Sequence, residues 1–244
     1  MLQNKSAVIT GAGRGIGRSI ALEFARNGAD IVLVARSRSE IDNVADEIRG
    51  LGRKALAITC DVADLEAVER AISLVGEAFQ SIDVLVNNAG GGQERRVVGE
   101  DDPVVWKNVI EVNLLGTYYF SRAMLPLLRA ANGATIINVG SGMAYQSRRG
   151  NSSYNASKAA VWMFTRCLAQ EVWEDKITVN ELVPGPVHTD LTDGIFEANQ
   201  PHPTFPSEWV KTADDVAPMA LMMATQGPNG PTAQSFSLAR RPMA

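Results

Sequence analysis

The stretch Thr10–Gly17 reads TGAGRGIG, and it decides how the rest of the chain is read. It follows a short β-branched run, Ala7–Thr10 (AVIT), and opens an amphipathic segment, Gly15–Asn27, so it occupies a strand-to-helix turn. Glycines there permit a tight turn, allow main chain to approach a bound group and let the helix pack on the strand. The helix start presents N–H groups with no partner inside the helix, which suits a phosphate. Gly11, Gly15 and Gly17 are spaced GxxxGxG rather than GxGxxG. Alone, such a turn is a common loop. Between a strand and a helix it predicts a dinucleotide-binding βαβ unit.

Working outward, β-branched runs recur at Ile31–Ala35, Ala55–Thr59, Val84–Asn87, Thr135–Val139 and Thr178–Leu182. Helical patterns lie between them, at Ser39–Leu51, Leu65–Phe79, Pro103–Ala130 and Ser153–Glu174. Asp102-Pro103 is an N-cap followed by proline at the first helical position, and Gly28 and Gly50 sit where C-terminal caps belong. This alternation predicts an α/β fold, a Rossmann-type, doubly wound, mostly parallel sheet in a single domain over residues 1–244. The exception is the stretch 191–209, with Pro201, Pro203 and Pro206 and the aromatics Phe196, Phe205 and Trp209. It is expected to be an irregular loop acting as a substrate lid.

Composition narrows the function. The chain has 244 residues, 45% of them hydrophobic, and 23 basic side chains against 27 acidic ones for a net charge of −4. That supports a sizeable core and offers no broad attraction to nucleic acid or anionic membrane. Two cysteines, Cys60 and Cys167, and two histidines, His188 and His202, are too few for a disulfide framework or a metal centre. Both cysteines are expected as buried packing residues. The N-terminus MLQNKSAVIT lacks the features of a signal peptide, and no apolar run approaches the ~18 residues of a membrane span, so a cytoplasmic protein is expected.

The second strand run ends Val34-Ala35-Arg36-Ser37-Arg38, without the acid that accepts from ribose hydroxyls in NAD sites. Guanidinium groups bind a 2′-phosphate strongly, and Arg14 in the glycine turn can reach the same place. NADP(H) is favoured over NAD(H); the alternative is that these are solvated surface arginines. Tyr154 and Lys158 lie four apart on a predicted helix, hence on one face. Ser141 follows the run Thr135–Val139, at a strand end that opens onto the ligand crevice of a parallel sheet.

Together these residues resemble the short-chain dehydrogenase/reductase family, over about residues 6–238. In that resemblance TGAGRGIG, including Ile16, is the cofactor turn, and Arg36 and Ser37 receive the adenosine end. Asp61 and Val62 hold the adenine. Asn87-Asn88-Ala89-Gly90 stabilises the sheet beside the cofactor. Asn113, Ser141, Tyr154 and Lys158 complete the catalytic tetrad, and Pro184-Gly185 with Val187 and Thr189 contacts the nicotinamide carboxamide. The implied chemistry is interconversion of a carbonyl and a secondary alcohol by hydride transfer. Tyrosine titrates near 10, and a nearby ammonium favours tyrosinate; a two- to three-unit shift needs about 3–4 kcal/mol. Tyr154 is therefore expected as general acid and base, with Ser141 on the substrate oxygen. By resemblance, Lys158 holds the nicotinamide ribose and Asn113 anchors a relay water.

The family also implies a homodimer or homotetramer, and a substrate that is a ketone, an aldehyde or a 3-oxoacyl thioester. A non-catalytic dinucleotide sensor is the alternative. Two departures stand out: Glu181, where a small apolar residue is usual, and a tail with Ala233 for glycine and Ala239-Arg240-Arg241-Pro242 for the usual Asp-Gly-Gly-like close. A partner arginine or local salt bridge is one account of Glu181. Trp106, Tyr118, Tyr119 and Trp162 are expected in the core or at subunit contacts. Arg148 and Arg149 are expected as solvated charges or as a contact for an anionic substrate. His188 is expected as a surface-loop residue, and His202 has no assigned role.

Overall fold

The computed structural model describes residues 1–92, 95–192, 194–205 and 207–240. Strands β1 (Ser6–Thr10), β2 (Asp30–Ala35), β3 (Ala55–Thr59), β4 (Val84–Asn87), β5 (Ala134–Val139), β6 (Ile177–Val183) and β9 (Ser235–Ser237) form one sheet. Its order is β3-β2-β1-β4-β5-β6-β9, and every pairing is parallel. The strand order reverses between β1 and β4, which places the ligand crevice of such a sheet at their C-terminal ends.

Helices cover both faces because the strands alternate their side chains between two apolar layers. Ile9, Ile31, Leu33, Val86, Ile137 and Leu182 pack against α1 (Gly15–Arg26), α2 (Arg38–Gly50) and α7 (Ala217–Ala224), with Ile20, Phe24, Ile41, Ile48 and Leu221. Val8, Val32, Ile58, Leu85, Ile136 and Val179 face the opposite way. They meet Val68 of α3 (Leu65–Ala78), Phe120, Met124 and Leu128 of α5 (Gly116–Ala130), and Leu168 of α6 (Ser152–Glu171).

Three expectations change, and two elements were not foreseen. The predicted helix over 103–130 is α4 (Pro103–Ile110), a π-helical turn at Glu111–Leu115, and α5. Asn113 causes the widening. Its side-chain amide donates to the Val109 carbonyl at 2.8 Å, and the Thr117 hydroxyl donates to the Asn113 carbonyl at 2.8 Å. Both carbonyls are the ones a regular helix gives to main-chain N–H groups.

The stretch 191–209 is not structureless. A 3-10 turn spans Asp190–Thr192, and β7 (Gln200–Pro201) pairs antiparallel with β8 (Trp209–Val210). His202 organises it: buried between the rings of Phe196 and Phe205 at 5.0 and 5.2 Å, its Nδ1 accepts from the Thr204 and Phe205 N–H groups. Pro206 lies outside the described residues.

Cys167 is exposed, because the apolar stripe of α6 runs through Val161, Leu168 and Ala169 and leaves position 167 off it; Cys60 is buried. Finally, α7 and β9 escape a periodicity reading. The first (APMALMMA) is apolar all round, and the second is three residues long with two serines.

Candidate active site

The glycine turn is buckled to the end of β4. The Thr10 hydroxyl accepts from the N–H groups of Asn88 and Ala89, both at 3.0 Å, and the Asn88 amide donates to the Thr10 and Gly11 carbonyls. Gly11 turns with φ +64°, and a Cβ at Gly17 would collide with its carbonyl, so close helix–turn packing requires glycine at both. The N-terminus of α1 receives no side-chain cap from Arg14 and has no acid in its first turn. Gly15 and Ile16 of that first turn line the cleft, a position that suits an anion.

That cleft has a volume of about 370 Å³ and runs along the strand ends. Of the sequence-selected residues, Gly11, Arg14, Gly15, Ile16, Arg36, Ser37, Asp61, Val62, Asn88, Ala89, Gly90, Tyr154, Lys158, Pro184 and Thr189 line it. Gly17, Asn113, Ser141, Gly185 and Val187 do not. Gly17 packs beneath the turn, Gly185 backs onto Lys211 and Ala239, and Val187 is buried and bridges to Lys211.

The far corner, at Arg36, Ser37 and Asp61, holds one residue that sequence reading missed. Glu40 of α2 lines it too, so close to the turn that a Cβ at Gly13 would stand 2.8 Å from its side chain. Arg14 is shared between Glu40 and Asp190, at 3.7 Å from each. These groups are too exposed for the pairs to add much stability. Arg36 is exposed and makes no ion pair among the described residues.

At the other end, Ser141 follows β5 and caps a 3-10 turn over Gly142–Ala144, its Oγ accepting from the Met143 N–H. The Asn155 amide donates to the Met143 and Gln146 carbonyls, fastening this turn to α6. The Ser141 hydroxyl stands near enough to the Tyr154 phenol to favour its ionised form. Lys158 lies one turn along α6. Its Nζ donates to the Val139 carbonyl at 2.8 Å and is 5.8 Å from the Tyr154 ring centre. Asn113, fully buried, exchanges two hydrogen bonds with the Gly91 main chain. Its Oδ1 and the Lys158 Nζ both lie within 3.3 Å of where a Gly90 Cβ would stand. The four residues, distant in sequence, thus converge at one end of the cleft. Behind them Asn87 donates to Ser121 and Asn138, and Asn138 to Thr165, locking β4 and β5 to α5 and α6.

The electrostatics correct one expectation. Burial pushes the Tyr154 phenol up, opposed by the nearby Ser141 hydroxyl, and burial brings Lys158 down to about 8, opposed by the Glu181 carboxylate. The ammonium does not pull the phenol down here: it is itself desolvated and directed at the Val139 carbonyl.

The other singled-out residues stand back from the cleft. His188 Nδ1 pairs with the Phe196 carbonyl at 2.8 Å, holding the 191–209 segment. Trp106 donates to Ser152, and Trp162 packs edge-on against Tyr145 with Arg166 over its ring. Tyr119 packs against the α3–α5 layer, and Tyr118 is exposed. Arg148 and Arg149 are exposed, the former close enough to Arg95 to disfavour its charge. The tail reaches the 191–209 segment, where Glu208 accepts from the Arg240 N–H; Arg241 and Pro242 lie outside the described residues.

A parallel sheet reversing at β1/β4, a glycine turn over its crevice and a Ser–Tyr–Lys end define a dinucleotide-dependent oxidoreductase. The chain belongs to the short-chain dehydrogenase/reductase family: the profile described as short chain dehydrogenase matches residues 5–200. It is 36% identical over 199 residues to the 3-oxoacyl-(acyl-carrier-protein) reductase FabG of Pseudomonas aeruginosa, covering 82% of this chain and 80% of that one. To the protein of that name from Chlamydia pneumoniae it is 33% identical over 245 residues, covering 96% and 95%. The fold is similar to a short-chain type dehydrogenase/reductase from Mycobacterium marinum, with TM-score 0.87 and 27% identity, over 98% of this chain and 95% of that one. The protein is thus an NAD(P)-dependent oxidoreductase.

Proposed function

We propose that the protein is an NADP(H)-dependent carbonyl reductase, reversible to the secondary alcohol, acting on a ketone or aldehyde and foremost on a 3-oxoacyl thioester. The observation that carries this is that Tyr154 and Lys158 line the end of the cleft together, the ammonium 5.8 Å from the phenol ring centre. The thioester reading is supported by the likeness to the FabG proteins.

The residues present fit the dinucleotide. The uncapped start of α1 and the side-chain-free main chain at Gly13 and Gly15 form a cradle for a pyrophosphate. Asp61 and Val62 border the adenine position, and Pro184 and Thr189 the carboxamide end. Arg36 and Ser37 face a 2′-phosphate, while Arg14 offsets the Glu40 carboxylate beside them. When bound, the nicotinamide supplies or accepts the hydride.

In reduction the Tyr154 phenol donates its proton to the substrate oxygen. Its raised pKa keeps it protonated at neutral pH, as a general acid must be. Ser141 donates to the same oxygen and steadies its developing charge. Lys158, its ammonium on the Val139 carbonyl, is placed to hold the nicotinamide ribose hydroxyls, and Asn113 holds the Gly91 main chain beside it. The exposed apolar residues Val104, Tyr118 and Met163, on α4, α5 and α6, offer the face for assembly into a homo-oligomer.

Following NADPH and NADH absorbance with acetoacetyl-CoA, simple ketones, aldehydes and quinones tests the reading. We expect Tyr154→Phe to bind NADPH as the wild type does and to lose at least 100-fold in kcat. Undiminished turnover in that variant would overturn the mechanism.

A further inference from the structure

Glu181 of β6 is fully buried. Its Oε2 accepts from the Tyr145 hydroxyl at 2.7 Å and from the Ser235 hydroxyl, and these two hydroxyls are 2.9 Å apart. Arg166 donates to Ser235 from behind at 3.1 Å. The other carboxylate oxygen has no partner among the described residues and lies against Gly140, where a Cβ would overlap it. Burying a carboxylate is costly, and the hydrogen bonds to Tyr145 and Ser235 offset that cost at only one of its oxygens.

What it touches is the segment that carries Ser141. Gly140 lines the cleft and precedes Ser141, and Tyr145 ends the 3-10 turn that Ser141 caps. Both ends of the Gly140–Tyr145 turn therefore rest on one buried side chain. Val139, the residue before it, receives the Lys158 ammonium.

We propose that Glu181 is a positioning residue for the reaction: its carboxylate, held by Tyr145 and by Ser235 of the C-terminal strand, clamps the Gly140–Tyr145 turn and supports the positive charge on Lys158. The inference rests on the catalytic reading of Ser141 and Lys158 given above. The titratable and charged groups facing Glu181 are Tyr145 from the turn and Lys158 and Arg166 from α6; β9 contributes only Ser235. Burial pushes the Tyr145 phenol up to about 12, so it remains a donor to Glu181 throughout the working range. Burial lowers Lys158 to about 8 and Glu181 opposes that, so losing the carboxylate lowers it further.

Hydrogen exchange and steady-state kinetics on the full-length Glu181→Gln and Tyr145→Phe variants test this. In both we expect the amides of Gly140–Tyr145 to exchange at least tenfold faster, with those of β1 and α1 unchanged. With NADPH and acetoacetyl-CoA, kcat should fall at least tenfold in both while the NADPH Kd stays within threefold. The alkaline decline of kcat should move to lower pH in Glu181→Gln only, because Tyr145→Phe keeps the carboxylate. A merely structural role would lower thermal stability and leave that decline in place. Unchanged exchange over Gly140–Tyr145, or an unshifted decline in Glu181→Gln, overturns the proposal. If the wild type reduces no carbonyl, the functional reading fails separately, and exchange over that turn still decides whether Glu181 positions it.

Discussion

Two residues carry the sharpest predictions, because their charge is the whole of their role. Arg36 stands exposed at the cleft corner, beside Ser37 and opposite a Glu40 that Arg14 already pairs. A charge-assisted bond to a 2′-phosphate contributes about 1.5–3 kcal/mol, or roughly 10–100-fold in affinity. We expect Arg36→Asp to weaken NADPH by that factor and to leave NADH within threefold; fluorescence titration of both cofactors checks it. Equal weakening of both would place the 2′-phosphate elsewhere. Lys158 sets the second. Its ammonium is the working form, and burial lowers its pKa from 10.5 to about 8. The group is charged below that value and neutral above it, so the rate of reduction should decline as pH rises through about 8. A kcat profile flat to pH 10 would contradict this. The spacing of Tyr154 and Lys158 was plain in the chain, but the direction of their titration was not. Desolvation depends on what covers a side chain, and in this fold β5, β6 and the Gly90 segment do so.

At the scale of elements, the π-helical turn at Glu111–Leu115 joins local sequence to site geometry. One asparagine widens a helix by taking its own helix's carbonyl, and the same amide reaches across to Gly91. Asn113→Ala removes both ties and leaves the buried Val109 carbonyl and the partly buried Gly91 main chain without these partners, at a cost of about 1–3 kcal/mol. For a chain of this size that lowers Tm by roughly 2–4 °C per kcal/mol. Calorimetry should show the drop, and turnover should fall at least tenfold with NADPH still bound; a variant as stable and active as wild type would show that Asn113 does not organise this edge. The strands and the amphipathic helices were legible because side-chain periodicity is local. The widened turn, the β7–β8 pairing, α7 and β9 were not. Each depends on partners far away in sequence or lacks a polar face to betray it.

For the whole molecule, a seven-stranded parallel sheet gathers the ends of β1 to β6 at one edge, and the site is what stands there. The alternation of strands and helices, the glycine turn and the order of Asn113, Ser141, Tyr154 and Lys158 were set by the sequence alone, since each is a pattern over a few neighbours. Tertiary structure alone decided that Glu40 and Asp190 meet Arg14. It also decided that His202 orders the 191–209 segment, and that a tail serine and a turn tyrosine close around Glu181. Those contacts join residues separated by 2 to 176 positions. Their energies come from burial and desolvation, which exist only once the sheet has brought the segments together.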